Sequence, residues 1–292
     1  MKTSRSEFHA IRGIDYHVRL WGNSTCPKLF LLHGWMDVSA SFQFLVDAFA
    51  RDWLVIAPDW RGFGLSSWSK EGYWFQDYYA DLDTLIDIYS PGEPVNLVGH
   101  SMGGNVACTY TGIRPARVRK LISLEGFGAA RNSPDMAPAR YERWLDQLKE
   151  QPSFRPYTSF DAVAERLRKN NPRLTPDKAR FLALHWARQT LKGEIVLSFD
   201  PRHKTVNPVM SQLDQLIECW KRVTCPTLWV VSSDGAAMDG RAWRKDTPAE
   251  LIERKSAFRD FRETLLEDCG HMMHHDQPQK LATIIEDFLL RD

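Results

Sequence analysis

One stretch of this chain has the residue types and spacing of a nucleophile site: Val98-Gly99-His100-Ser101-Met102-Gly103-Gly104. It matches G-x-S-x-G, a pattern that serves attack by a serine oxygen on an electrophilic carbon. Glycines on either side of the serine permit a tight, strained turn that lifts the hydroxyl clear of the chain. A helix beginning at that turn would add partial positive charge where an oxyanion develops. A serine hydroxyl is a weak nucleophile near neutral pH, so it needs a base and an acid to orient that base. His271, in Asp268-Cys269-Gly270-His271, is the best-placed base. Two carboxylates compete for the third role. Glu125 ends the run Ser123-Leu124-Glu125, and Asp234 stands in Val231-Ser232-Ser233-Asp234-Gly235, with Asp239 farther along. His274 and His275 complete an H-x-x-H-H string, but the acidic residues of a metal-ligand pattern are missing. The expectation is a solvent-facing helix start, with no metal and no cofactor.

These residues need elements to hold them. Continuous apolar runs at Leu29-Phe-Leu-Leu32, Trp53-Leu-Val-Ile-Ala57, Val95-Asn-Leu-Val98 and Leu121-Ile-Ser-Leu124 read as buried parallel strands. Tyr16 to Trp21 alternates like a half-exposed strand. Helical spacing over residues 42–49, 73–89 and 103–113 separates these runs, as in βαβ units. The rhythm breaks near residue 129 and resumes with strands at 227–231 and 261–267 and a helix over 277–290. Between them lie helical stretches at 139–150, 160–169 and 177–193. The expected organisation is an α/β core of residues 1–128 and 223–292 with a helical cap over 129–222. The cap holds 17 Lys and Arg against 11 Asp and Glu, a balance of +6 that leaves −5 for the remainder of a chain whose net charge is +1. A solvated helical surface explains that balance as simply as an anionic substrate does.

The chain has 292 residues, 43% hydrophobic and 26% charged, which is an ordinary globular composition. Near-neutral charge gives no electrostatic case for a nucleic-acid partner. No run approaches the ~20 apolar residues of a membrane helix, and the first 13 residues have no apolar signal core. Five scattered cysteines fit reduced thiols, so a cytoplasmic protein acting on a small molecule is expected. Nothing in the sequence sets an oligomeric state.

Four segments together resemble the α/β-hydrolase superfamily over nearly the whole chain. They are His33-Gly34-Trp35, Asp59-Trp60-Arg61-Gly62-Phe63-Gly64-Leu65-Ser66, Gly99-His-Ser-Met-Gly103 and Gly270-His271. The resemblance implies a mostly parallel sheet flanked by helices. It also implies Ser101 as nucleophile, His271 as base, and the backbone N–H groups of Trp35 and Met102 as the oxyanion hole. Most relatives place the acid in a G-x-x-D segment after the strand matching 227–231, where Asp234 falls about one residue off. The branch with haloalkane dehalogenases and coelenterazine-type luciferases is similar in placing a Glu where Glu125 stands, so Glu125 is the first candidate and Asp234 the alternative. Because Ser101 replaces the Asp nucleophile of dehalogenases, the expected intermediate is an acyl-enzyme on an ester, thioester, lactone or activated C–C bond. A cofactor-free dioxygenase of N-heteroaromatic compounds and a weakly hydrolytic ligand receptor are the competing readings.

The smaller motifs have packing roles in this reading: His33, His100 and Cys108 as core groups, Arg61 as a tie for its loop, and Asp37 and Asp59 as structural carboxylates. Eleven tryptophans are many for one such domain. Seven of them (Trp35, Trp60, Trp68, Trp74, Trp144, Trp186 and Trp220) fall in segments that would border the pocket. An apolar or aromatic substrate held by Trp60, Trp144 and Trp186 is one expectation, and ordinary cap-to-core packing is the other.

Overall fold

Unbroken apolar runs make the centre of the sheet, because strands covered on both faces have no solvent side for polar residues. The computed structural model describes residues 1–128, 131–150, 152–234 and 247–291. The strands are β1 (Ser4–Ile11), β2 (Ile14–Trp21), β3 (Lys28–Leu32), β4 (Leu54–Pro58), β5 (Val95–His100), β6 (Val118–Leu124), β9 (Thr227–Ser232) and β10 (Phe261–Leu266). They form one sheet in the order β1-β2-β4-β3-β5-β6-β9-β10. It is parallel from β4 to β10, with β1 and β2 antiparallel at one edge.

Alternate residues of each strand feed two cores. Phe30, Leu32, Leu97 and Leu121 face α2 (Phe75–Tyr89), α3 (Met102–Ile113) and α7 (Leu213–Trp220). Leu29, Leu31, Val98 and Ile122 face α1 (Gln43–Ala48) and α8 (Pro278–Leu290). The doubly covered α/β sheet matches the class expected from the sequence. The sequence reading overlooked β1. Its residues alternate around exposed and half-exposed positions at the sheet edge. It is joined to β2 through Arg12 and Gly13, both at positive φ (49° and 77°), the backbone of a tight hairpin turn.

Between β6 and β9 the chain builds α4 (Ala137–Lys149), α5 (Phe160–Asn170), α6 (Pro176–Trp186) and a short antiparallel pair, β7 (Ala187–Gln189) and β8 (Ile195–Leu197). The helix expected over 177–193 therefore stops at Trp186. Gly193, at φ 82°, turns the chain back, and Thr190 N–H donates to the Glu194 carbonyl. Val163, Leu167, Leu174, Ala179, Leu182 and Ile195 form a separate apolar cluster that rests on Phe44 of the core. In contrast, α7 buries Leu213, Ile217 and Trp220 in the core beside α3. These residues lie inside the stretch 129–222 expected from the sequence to form the cap. No helix among the described residues is long and apolar enough to cross a membrane.

The loop after β4 is tied down as expected for Arg61. Its guanidinium meets Asp81 of α2 through two hydrogen bonds, Nε to Oδ2 and Nη2 to Oδ1, both 2.6 Å. Tyr16 Oη donates to the same carboxylate at 3.0 Å. Asp81 is fully buried and Arg61 nearly so. Removing Asp81 leaves buried Arg61 only its 3.3 Å contact with Asp77, so Asp81→Ala should lower the unfolding free energy by about 3 kcal/mol in urea denaturation.

Candidate active site

Ser101 sits between the carboxyl end of β5 and the first residue of α3, at φ 52° and ψ −115°. This is a conformation that L-residues adopt only under constraint. Ser101 N–H is pinned to the Leu124 carbonyl at 2.8 Å. The flanking glycines are required by close approach: a Cβ on Gly99 would collide with the Gly103 carbonyl, and one on Gly103 with the Leu32 carbonyl. Gly34 brings the chain after β3 against the same turn, where a Cβ would lie 3.2 Å from Ser101 Cβ. Trp35 follows directly, and Met102 opens α3 with an N–H that has no acceptor inside the helix.

Glu125 follows β6, also at positive φ (56°), with its N–H on the Val230 carbonyl at 3.1 Å. Its carboxylate is buried. Oε1 accepts the Ser232 N–H at 2.6 Å, and Oε2 stands 3.6 Å from Nδ1 of half-exposed His271. Burial pushes the Glu125 carboxyl upward, but the contacts from His271 and from Ser232 outweigh it and hold it below the usual range. Asp234 goes elsewhere. Its two oxygens take Nη1 and Nη2 of Arg173 in the insertion at 2.6 and 3.1 Å. Asp239 lies outside the described residues, as does Trp243.

A buried imidazole cluster backs His271. His100 Nε2–H donates to the His271 carbonyl at 2.8 Å, and its ring lies 4.7 Å from that of His271 and 4.6 Å from that of His274. Burial, then the neighbouring His274 and His271, push the His100 pKa far down and keep it neutral. His274 and His275 are buried, correcting the expectation of a solvent-facing helix start. Both reach Ser41 Oγ, at 3.0 and 2.6 Å. Asp37, His100 and His274 bring ligand atoms within 4.8 Å of one another. That is three ligands where a structural zinc takes four, and the adjacent Ser41 hydroxyl is already shared between two histidines.

The remaining polar groups of these loops are structural. Neutral His33 donates from Nδ1 to the Gly34 carbonyl at 2.7 Å and accepts the Trp60 N–H on Nε2 at 2.9 Å. Asp59 accepts from Ser39 N–H, Leu65 N–H and His17. Cys269 is buried, with its thiol pushed up to about 11 by that burial, so it is no rival nucleophile.

The tryptophans divide differently from the sequence reading. Trp60 is a core residue, fully buried against Tyr78 with Nε1–H on the His33 carbonyl, and presents no face to a substrate. Trp220 is likewise buried, its ring against those of Phe127 and Phe258. Trp144 is half-buried on α4, a helix with no buried residue. Trp186 is half-buried at the end of α6, with Nε1–H on Asp37 Oδ1 at 3.1 Å. Trp35 and Trp68 are exposed. The Trp186–Asp37 link and the His100–His271 link had no sequence signal, since their partners lie 149 and 171 positions apart.

A strained serine at a strand–helix turn, on a sheet of this order, defines a hydrolase architecture. The family model described as "alpha/beta hydrolase fold" matches residues 27–278, and the chain belongs to that family. It is similar to a serine hydrolase-like protein from Danio rerio, 28% identical over 99% of this chain and 90% of that protein. It is 30% identical to a 3-hydroxybutyrate-oligomer hydrolase from Cupriavidus necator over 90% of this chain and 88% of that one. Among solved structures it resembles a thioesterase domain from the curacin biosynthetic pathway, with TM-score 0.86 and 25% identity over 98% and 99% of the two chains. The chain is therefore a hydrolase on the α/β-hydrolase fold.

The close approach at Gly103 has a measurable consequence. Gly103→Ala must displace the backbone at Leu32, so it should lower the unfolding free energy by about 3 kcal/mol in chemical denaturation. Cys108→Ala, a small cavity elsewhere on the same helix, should cost about half as much.

Proposed function

We propose that the chain hydrolyses carboxylic esters or related acyl bonds through an acyl-enzyme on Ser101. The observation that carries this is the pairing of a buried, ionised Glu125 with His271 Nδ1 at the sheet edge that carries Ser101. Ser101 Oγ attacks the substrate carbonyl while His271 Nε2 takes its proton. Glu125 holds the Nδ1–H tautomer and stabilises the imidazolium. At 3.6 Å the carboxylate–imidazole contact is longer than a hydrogen bond, and such contacts tighten when substrate binds. The N–H groups of Met102 and Trp35 receive the oxyanion, at about 3–4 kcal/mol of transition-state stabilisation per donor. His271 then protonates the leaving group, and water activated by the same imidazole releases the acid.

The relatives support acyl chemistry. One is named for hydrolysis of 3-hydroxybutyrate oligomers and another is a thioesterase domain. Both reactions transfer an acyl group to water. Exposed Trp35, which follows Gly34 beside the Ser101 turn, favours an apolar or aromatic acyl group on a small-molecule substrate.

A fluorophosphonate should label the wild-type protein and leave Ser101→Ala unlabelled. Labelling of both, or oxygen uptake with a hydroxyquinolone by an unlabelled wild type, would overturn the proposal. With p-nitrophenyl esters, Glu125→Gln should lower kcat by three to four orders of magnitude, roughly the loss seen when a triad acid becomes an amide. Asp234→Asn removes only an exposed ion pair and should change kcat by less than about threefold. The reverse ranking would move the acid to Asp234.

A further inference from the structure

The insertion is wired to the base through Asp37. Trp186, the last residue of α6, donates Nε1–H to Asp37 Oδ1 at 3.1 Å, the oxygen that also takes the Val38 N–H at 2.9 Å. The other oxygen of this carboxylate faces His274 Nε2 at 3.7 Å. His274 is held by Ser41 and lies edge-on to His100, whose Nε2–H grips the His271 carbonyl. Asp37, His100 and His274 are each at most 2% exposed, so no member can move without disturbing the next. Burial alone would push the Asp37 carboxyl up, but His274 beside it outweighs that and holds it below the usual range, so it is the anion to which this chain of contacts is anchored.

We infer that Asp37 and His100 are positioning residues for His271, and that Trp186 makes the position of the base depend on the seating of the insertion. The inference rests on the hydrolase reading. Neither Asp37 nor Trp186 touches the reacting atoms. They act by fixing the backbone of residue 271, on which the reach of its imidazole to Ser101 and Glu125 depends. A misplacement of about 1 Å in such a group lowers rates by roughly a hundredfold, so a loosened contact should be visible in kcat. A substrate that displaces Trp186 would be turned over slowly however well it bound, which makes this link a specificity device.

The test uses the intact chain. Trp186→Phe keeps the ring and deletes the N–H, and Asp37→Asn keeps the shape and weakens the charge. Each should slow fluorophosphonate labelling of Ser101 about tenfold and lower kcat for a p-nitrophenyl ester similarly, with KM within twofold. The double variant should be no slower than Asp37→Asn alone, because both changes break one chain of contacts. If Asp37→Asn does not fold, the same comparison is made between Trp186→Phe and His274→Gln. Unchanged labelling in a folded Trp186→Phe would overturn the inference, as would multiplying effects or a change confined to KM or to Tm. Absence of labelling in the wild type would instead overturn the hydrolase reading itself.

Discussion

Backbone strain at the carboxyl edge of the parallel sheet is the constraint on which this molecule is built. Among the described non-glycine residues at positive φ, Arg12 turns the outer hairpin. The other four, Met36, Ser101, Glu125 and Asp268, lie in the segments that converge on the site. Each such residue stores of order 1–3 kcal/mol and persists only where its surroundings leave no alternative. Here the surroundings are the strand ends themselves. Ser101 N–H and Glu125 N–H are bonded to carbonyls of the neighbouring strands β6 and β9, so relaxing either turn would unpair the sheet. The hydroxyl and the carboxylate are aimed by the register of the sheet rather than by their own rotamers.

Two kinds of buried polar group hold that edge. One is a set of carboxylates satisfied by backbone and side-chain donors: Asp59, Asp81 and Glu125. The other is the imidazole cluster, in which burial keeps His33, His100 and His275 neutral and so fixes which nitrogens donate. Neutral rings tolerate the low dielectric, and charge is left on carboxylates that have donors. This division keeps His271 as the half-exposed imidazole of the group, the one open to substrate and solvent.

Besides contacts to the loop after β4, such as Tyr73 to Asp200 and His203 to the Arg61 carbonyl, the insertion makes polar contacts to groups near the site. Trp186 reaches Asp37, Arg173 reaches Asp234, and Asn171 reaches Asp276, whose other oxygen takes the Gly270 N–H. Its apolar cluster meets the core at Phe44. Lys178, also in the insertion, lies over that ring and donates to the His275 carbonyl. Asp234, which by position in the sequence competes for the role of acid, makes a bidentate contact with Arg173 of the insertion.

Much of this was legible in the sequence for a plain reason. Parallel strands buried on both faces must be continuous apolar runs, and a serine at a strained turn needs small neighbours, so β3 to β6 and Ser101 announce themselves locally. His271 was legible from its place between the last strand and the last helix. Tertiary structure decided what depends on partners far apart in the chain. Ser232 and His271 converge on Glu125, whereas Asp234 pairs with Arg173, a difference that local sequence does not carry. Trp60 and Trp220 went to the core, because a large ring near a site packs wherever the register of the sheet leaves space. His274 and His275, polar by composition, are buried because Ser41 and Asp37 receive them there. Local residue types set the elements and the strained serine turn; the fit of distant strand ends decided which groups surround it.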